Sequence, residues 1–206
     1  MKRTRIKFCG LTRLDDVRVA VELGVDAIGF VLTRKSRRHV EPATARALRQ
    51  ALPPFVSAVA LFMDDDAQWI EQAVAIVQPD LLQFHGAESA AFAERCARPY
   101  LKAVPMASVA DVAAFAAGHP QARGFLLDSH AAGATGGSGE AFDWTRVPRD
   151  FARPLLLAGG LDAGNVAQAI ATAQPYAVDV SSGIESAPGI KDAAKMRAFV
   201  AAVRGA

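Results

Sequence analysis

The stretch IKFCGLTRLDDVRVAVELG at residues 6–24 joins a short apolar run to a longer segment in which apolar residues recur at helical spacing. The first part is typical of a buried β-strand and the second of an amphipathic α-helix. The same two-part unit recurs along the whole chain. It predicts strands near residues 4–9, 26–32, 56–62, 80–85, 100–104, 123–128, 154–158 and 176–181.

Helical patterns separate these strands, and several carry residues that commonly begin or end a helix. Asp64 to Asp66 and Ser108 are expected to cap the starts of the third and fifth helices. Gly24 and Gly118 are expected to follow the ends of the first and fifth. The helices are expected near residues 13–24, 42–52, 66–77, 87–96, 108–117, shortly after Asp143, 162–173 and 191–203.

The alternation of strand and helix favours a parallel sheet, because parallel strands need a crossover connection that is usually a helix. Eight units without a linker, a composition break or a low-complexity stretch predict one closed domain over residues 1–206. The expected fold is a single-domain (β/α)8 barrel of the α/β class, the TIM barrel, with parallel strands. An open doubly wound sheet is the alternative, but no GxGxxG or Walker motif follows the first strand at Cys9.

The composition indicates a compact protein of enzyme size and excludes several classes of protein. Hydrophobic residues make up 51% and charged residues 21%, and the formal net charge of +2 is too small to suggest a nucleic-acid partner. No apolar stretch approaches about 18 residues, and the first residues turn polar too early for a signal peptide. Cys9 and Cys96 do not make a disulfide framework. We expect a cytoplasmic protein with neither a nucleic-acid nor a membrane partner.

Three long loops follow predicted strand ends, on the face where barrels of this kind carry their active sites. Their sequences are TRKSRRHVE at 33–41, SHAAGATGGSGEAFDW at 129–144 and SSGIESAPGIKD at 181–192. Other loops must be tight, because the chain is short for a TIM barrel. The stretch GATGGSG at 133–139 is expected to form a mobile flap near Asp128.

Polar residues also occur inside the strands, near their ends. In the first strand Ile6 and Phe8 are expected to face the helices, which turns Lys7 and Cys9 into the barrel. A buried lysine is costly without a partner. Because barrel closure places the eighth strand beside the first, Asp179 is the expected partner of Lys7. The same alternation turns these further residues inward: Gln83, His85, Asp179 and Ser181.

Seven blocks of sequence follow one another along the chain: KFCGLT at 7–12, SRRHV at 36–40, QFHG at 83–86, LLDS at 126–129, GGSGEAFDW at 136–144, LAGGL with NV at 157–166, and VDVSSGIE with PGIKD at 178–192. With these blocks the chain resembles the phosphoribosylanthranilate isomerase family of tryptophan biosynthesis, and the resemblance extends over the whole chain in order. Each matching block alone is a weak signal, but seven in register are highly specific. The family usually reads serine, proline, arginine, tyrosine where this chain has Ser36, Arg37, Arg38 and His39.

The resemblance implies an Amadori rearrangement that needs neither cofactor nor metal, with Cys9 as the general base and Asp128 as the general acid. Both residues lie at strand ends on roughly opposite sides of one barrel mouth. An ordinary cysteine titrates near about 8.5 and an ordinary aspartate near about 3.9, so each is in the wrong protonation state at neutral pH. We expect Lys7 to favour the thiolate and burial to keep Asp128 protonated.

Each assignment has a simpler structural alternative. Taken alone, Cys9 is more often core packing, and Asp128 can merely cap its loop. His85 is as consistent with a structural role as with substrate binding. For Asp179, a role in the ion pair is favoured over a role in catalysis. Cys96 is expected to be inert.

The basic loop at 33–41 is most simply a solvated surface loop, but its place at the mouth allows one arginine to bind a carboxylate. By its family position Arg38 is expected to hold the anthranilate carboxylate, with Arg37 as the alternative.

Phosphate binding is expected in the loops after the seventh and eighth strands, GGL and SSGIE, whose small residues let backbone amides approach an anion. The helix N-termini that follow add partial positive charge. The alternative is that the glycines only make tight turns. The residues concerned are Gly159, Gly160, Ser181, Ser182 and Gly183.

Two other functions stay open on the sequence alone. A different phosphosugar barrel enzyme would need a lysine acid or metal-binding histidines at strand ends, and neither set is clear. A non-catalytic barrel acting as an interaction subunit would not need Cys9, Asp128 and Arg38 at one mouth. The expected partner is a small phosphorylated substrate, and the protein is expected to be a monomer or a homodimer.

Overall fold

The computed structural model describes residues 3–130 and 141–206, which form a closed barrel of eight parallel strands. The strands follow one another around the barrel in chain order, and the last pairs with the first. This arrangement confirms the expected TIM barrel, and the open doubly wound alternative is wrong. The strands are β1 Arg5–Cys9, β2 Ala27–Val31, β3 Ser57–Phe62, β4 Leu81–Phe84, β5 Tyr100–Pro105, β6 Gly124–Asp128, β7 Leu155–Leu157 and β8 Ala177–Val180.

Helices surround the barrel, and none in the described part of the chain is long and apolar enough to span a membrane. Asp66 caps the third helix as expected, because its side chain accepts a hydrogen bond from the amide of Trp69. The fifth helix is capped by Asp111 rather than by Ser108, so that expectation is wrong. The helices are α1 Leu14–Glu22, α2 Pro42–Arg49, α3 Ala67–Val77, α4 Ala90–Arg95, α5 Val112–Ala117, α6 Val166–Ala173 and α7 Ala193–Arg204, with 3-10 helices at Trp144–Arg146 and Ser182–Ile184.

Two segments on the mouth side of the barrel differ from the sequence expectation. Helix α6 begins at Val166 instead of near residue 162, because the Asp162 side chain accepts from the amides of Gly164 and Asn165 in a tight turn. The loop after β8 contains an antiparallel hairpin of β9 Glu185–Ala187 and β10 Ile190–Lys191. Both differences bring additional loop structure close to the barrel mouth.

The barrel separates two apolar clusters. Outward-facing strand residues such as Phe8, Phe62 and Phe84 are fully buried against the helices, and burying such a side chain contributes about 1.5–3 kcal/mol. A smaller cluster fills part of the lumen. At the C-terminal ends of the strands the inward-facing residues are polar, so a polar site lies above the apolar core. The lumen cluster consists of Leu101, Ala103, Leu126, Leu156, Ala158 and Ala177.

A buried ion pair stiffens the loops after β3 and β4. Lys102 lies between the lumen residues Leu101 and Ala103 and therefore faces the helix layer, where its Nζ is 2.9 Å from Oε2 of Glu88. The same carboxylate accepts from the backbone amides of Asp64 and Gly86. Glu88 thus ties together the two loops that flank the end of β4.

Candidate active site

A cleft of about 750 Å³, counting the space at its open mouth, lies at the C-terminal ends of the barrel strands. Small-molecule sites commonly have about 300–1,000 Å³. Lys7 and Gly183 lie behind the cleft surface, and the flap expected at 133–139 lies outside the described residues. The predicted site residues that line the cleft are Cys9, Arg38, His85, Asp128, Gly159, Gly160, Asp179, Ser181 and Ser182.

Beneath the cleft, Lys7 and Asp179 form the expected ion pair across the seam between β1 and β8. Nζ of Lys7 lies 2.8 Å from Oδ2 of Asp179, and both side chains are buried. Burial lowers the pKa of Lys7, but Asp179 and Cys9 raise it by more, so this pKa lies above its ordinary value of 10.5. The other oxygen, Oδ1 of Asp179, is buried without a hydrogen-bond partner among the described residues. It is therefore available as an acceptor for a bound molecule.

Cys9 ends strand β1 and lies in the cleft beside this ion pair. Burial raises the pKa of the thiol, Lys7 lowers it, Asp179 raises it, and the result lies above the ordinary value of 9.0. Lys7 therefore favours the thiolate as expected, but its effect is smaller than that of burial. Asp179 already neutralises the lysine, so burial decides the outcome. Cys9 is a neutral thiol at neutral pH.

Asp128 ends strand β6 between two histidines whose rings stack at a centroid distance of 4.4 Å. Nε2 of His85 lies 3.6 Å from its Oδ2, and Nδ1 of His130 lies 3.3 Å from its Oδ1. Burial raises the pKa of Asp128, but His130 and His85 lower it by more, so it lies below the ordinary value of 3.8. Burial lowers the pKa of His85 to about 4 although Asp128 opposes this change. The expectation that burial keeps Asp128 protonated is therefore wrong.

Arg38 projects into the cleft from the loop after β2, held by the hairpin after β8. Its Nε and Nη2 each donate to a carboxylate oxygen of Glu185 at 2.8 Å. Lys191 lies 2.8 Å from the same carboxylate, so two cations share one anion. Arg37, the alternative, is exposed and does not line the cleft. This geometry leaves the Nη1–Nη2 edge of Arg38 as the one guanidinium edge suited to a second carboxylate.

The loops after β7 and β8 meet at one side of the cleft. Gly159 and Gly160 have φ of 82° and 64°, a region in which glycine is favoured. A Cβ atom on Gly183 would lie 2.0 Å from the carbonyl oxygen of Leu161, so Gly183 allows the two loops to approach each other. A larger residue at this position would therefore force the two loops apart. The N-terminus of α6 is also displaced, because this helix begins at Val166 rather than near residue 162, whereas α7 begins at Ala193, close to the expected position.

Three further residues belong to this region but were not predicted from sequence. His130 lies two residues beyond a strand end, in a loop where no pattern distinguishes it. Glu185 and Lys191 depend on the hairpin after β8. The sequence does offer one signal for Glu185, because it is an acidic residue in a mouth loop and the loop after β2, at the same mouth, is basic.

The fold and the cleft together define a TIM-barrel enzyme with its reactive groups at the strand ends. Residues 6–202 match the family described as N-(5'-phosphoribosyl)anthranilate (PRA) isomerase. The isomerase of Xanthomonas oryzae pv. oryzae PXO99A is 54% identical over 210 residues, which cover 99% of this chain and 95% of that protein. The chain therefore belongs to the N-(5'-phosphoribosyl)anthranilate isomerase family, and the expected isomerase of tryptophan biosynthesis is confirmed.

Solved structures agree with this assignment. A phosphoribosylanthranilate isomerase in complex with reduced 1-(o-carboxyphenylamino)-1-deoxyribulose 5-phosphate is 35% identical, with a TM-score of 0.84 and coverage of 98% of this chain and 100% of that one. A structure described as monomers of the dimeric enzyme of Thermotoga maritima is 33% identical, with a TM-score of 0.84 and coverage of 98% and 100%. Both likenesses extend over the whole barrel.

The raised pKa of Cys9 predicts the pH dependence of its alkylation. In a Cys96→Ser background, the rate of reaction with iodoacetamide should still be rising at pH 9, because only the thiolate reacts. Mass spectrometry of the modified peptide measures the rate, and the unfolded protein is the control for an ordinary thiol. The shape of the profile, rather than the absolute rate, separates a raised pKa from poor access. A plateau reached below about pH 8.5 would contradict this assignment.

Proposed function

We propose that this protein converts N-(5'-phosphoribosyl)anthranilate to 1-(o-carboxyphenylamino)-1-deoxyribulose 5-phosphate, with Asp128 as the acid and Cys9 as the base. The observation that carries this assignment is their placement in one cleft, at the ends of strands three places apart around the barrel. That spacing suits groups acting on two neighbouring sites of one sugar. The protein is expected to act in the cytoplasm.

The proposed reaction has two proton transfers. Asp128 protonates the furanose oxygen, and the nitrogen lone pair opens the ring to an iminium ion. Cys9 then removes the proton from C2', which gives an enol that tautomerises to the ketose. The unpaired Oδ1 of Asp179 supports a role in accepting a hydrogen bond from a sugar hydroxyl. His85 is placed to orient Asp128, since it lies against that carboxylate.

The two anionic ends of the substrate are assigned to opposite sides of the cleft. Arg38 is proposed to bind the anthranilate carboxylate through its free edge while Glu185 fixes the guanidinium. The phosphate is proposed to lie against backbone amides near Gly160 and Ser182, which line the cleft. These loops suit an anion because small residues leave their backbone accessible. Gly183 contributes by allowing the loops to meet.

Removing either proton-transfer group should abolish most turnover. A positioned acid or base typically contributes about 10²- to 10⁴-fold in rate, so Cys9→Ser and Asp128→Asn should lose that much kcat. The loss of substrate fluorescence measures turnover. Both variants should still bind the reduced product analogue, because neither change removes a proposed anion contact. Cys96→Ser is the control and should retain activity. Near-normal kcat in either variant would refute the role of that residue.

Arg38→Ala should raise KM by roughly ten- to a hundredfold with less effect on kcat, because hydrogen bonds to charged groups contribute about 1.5–3 kcal/mol. The fold should survive, since Lys191 still pairs with Glu185. Arg37→Ala is the matched control and should change KM little. Inhibition by inorganic phosphate should be the same in both variants and the parent. Weaker phosphate inhibition in Arg38→Ala would instead place the phosphate on the basic loop.

We also propose that two copies associate through the opposite, N-terminal face of the barrel. Phe55 is fully exposed at 101%, with φ of 73°, in the loop between α2 and β3. It borders a hollow that is also lined by Leu52, Pro53 and Arg49. A protruding ring beside a hollow suits a two-fold contact in which Phe55 of each copy fills the hollow of the other copy. The dimeric Thermotoga maritima relative supports this assembly.

Sedimentation should therefore show a dimer that Phe55→Glu converts to a monomer, because the change removes the apolar ring that fills the hollow and places a charged group in the contact. Activity should persist, since the mouth lies at the other end of the barrel. Leu14→Glu, at an apolar position that is 38% exposed at the start of α1 on the mouth side, is the matched control and should remain dimeric. A parent protein that sediments as a monomer at micromolar concentration would contradict the proposal.

A further inference from the structure

Three potential metal ligands converge beside the cleft. One donor atom from each of His85, Asp128 and His130 lies within 4.8 Å of the other two. In the described part of the chain this is the one group of three or more such side chains with this spacing. Two imidazoles and a carboxylate are a common ligand set for zinc, and leave a position open for water.

The contacts within this group are longer than strong hydrogen bonds. A charge-assisted hydrogen bond from nitrogen to a carboxylate spans about 2.7–2.9 Å, whereas the two histidines lie 3.3 and 3.6 Å from the Asp128 oxygens. Ligands about 2.1 Å from a tetrahedral zinc ion lie about 3.4 Å apart, so the three donor atoms, which lie within 4.8 Å of one another, must move closer together to bind one ion. The rings now stack with an interplanar angle of 24°. Rotation about the broad Cβ–Cγ torsion of each histidine would direct both lone pairs to one point.

The state of the donor atoms also suits a metal ion. Nδ1 of His130 is buried without a hydrogen-bond partner among residues 3–130 and 141–206. Gln83 lies behind His85, with Nε2 3.3 Å from Nδ1 of the ring and an unpaired Oε1. A flip of this amide lets Nδ1 donate to Oε1, which leaves the Nε2 lone pair free for the metal.

We propose that His85, Asp128 and His130 bind a divalent transition-metal ion, such as Zn²⁺, and that the bound ion blocks the cleft to substrate. Imidazole ligands favour zinc, cobalt and nickel over magnesium and calcium, which prefer oxygen. The ion would coordinate the carboxylate of Asp128, which is the proposed acid of the isomerase reaction. Metal binding itself is independent of the proposed function, whereas inhibition by metal rests on it.

Binding is tested directly on chelator-treated protein by titration with Co²⁺, followed through its visible d–d absorption, and by competition with Zn²⁺. We expect one Co²⁺ per chain, displaced by Zn²⁺ and unaffected by excess Mg²⁺. His130→Ala and His85→Ala should each weaken binding at least about a hundredfold, because losing even an outer partner of a ligand costs 10- to 100-fold. His119→Ala changes another buried histidine, which precedes β6 at the far end of the barrel, and should bind Co²⁺ normally.

Different results would contradict the metal site and the proposed isomerase function. Unaltered Co²⁺ binding in both His130→Ala and His85→Ala would overturn the metal site, as would no saturable binding. A thiolate-to-cobalt absorption band that Cys9→Ser removes would place the ion on Cys9 instead. Competitive inhibition of the isomerase by Zn²⁺ should accompany binding. If the parent protein lacked isomerase activity but bound Co²⁺ as described, the proposed function would fail and the metal site would stand.

Discussion

The ion pair between Lys7 and Asp179 is the constraint on which the rest of the site depends. It joins the first strand to the last at the seam, where these two residues are paired in register. Two buried charges at this position stabilise the closed barrel only when the strands meet in this register, because either charge alone would be strongly destabilising. Closure therefore also fixes the height of Cys9, two residues farther along β1, at the floor of the cleft.

Much of this architecture could be predicted because it follows from local patterns. Alternating apolar runs and helical segments identify the units, and the period of two along each strand predicts that Lys7 and Asp179 point inward. The hairpin at 185–191 could not be predicted in this way, because its strands are short and have no apolar pattern. The tight turn that delays α6 to Val166 depends on one aspartate side chain.

The candidate site could be predicted as a set of residues but not as a set of contacts and charges. Arg38 was assigned to the cleft, yet its pairing with Glu185 depends on a loop folded back from β8. His130 was missed, because only the end of β6 brings it to Asp128. The net direction of the pKa shift could not be predicted for Cys9 or Asp128, since each results from burial opposed by several neighbours at distances that sequence does not specify.

These protonation states of Cys9 and Asp128 are nevertheless compatible with the proposed chemistry. A neutral Cys9 beside an ionised Asp128 carries the same number of protons as a thiolate beside a carboxylic acid. The competent form is thus a tautomer of the resting form, reached without net uptake or release of a proton. At pH values above the pKa of Asp128 and below that of Cys9, the population of this tautomer does not change with pH. A bound substrate that stabilises this tautomer would therefore support acid and base catalysis over a broad neutral range.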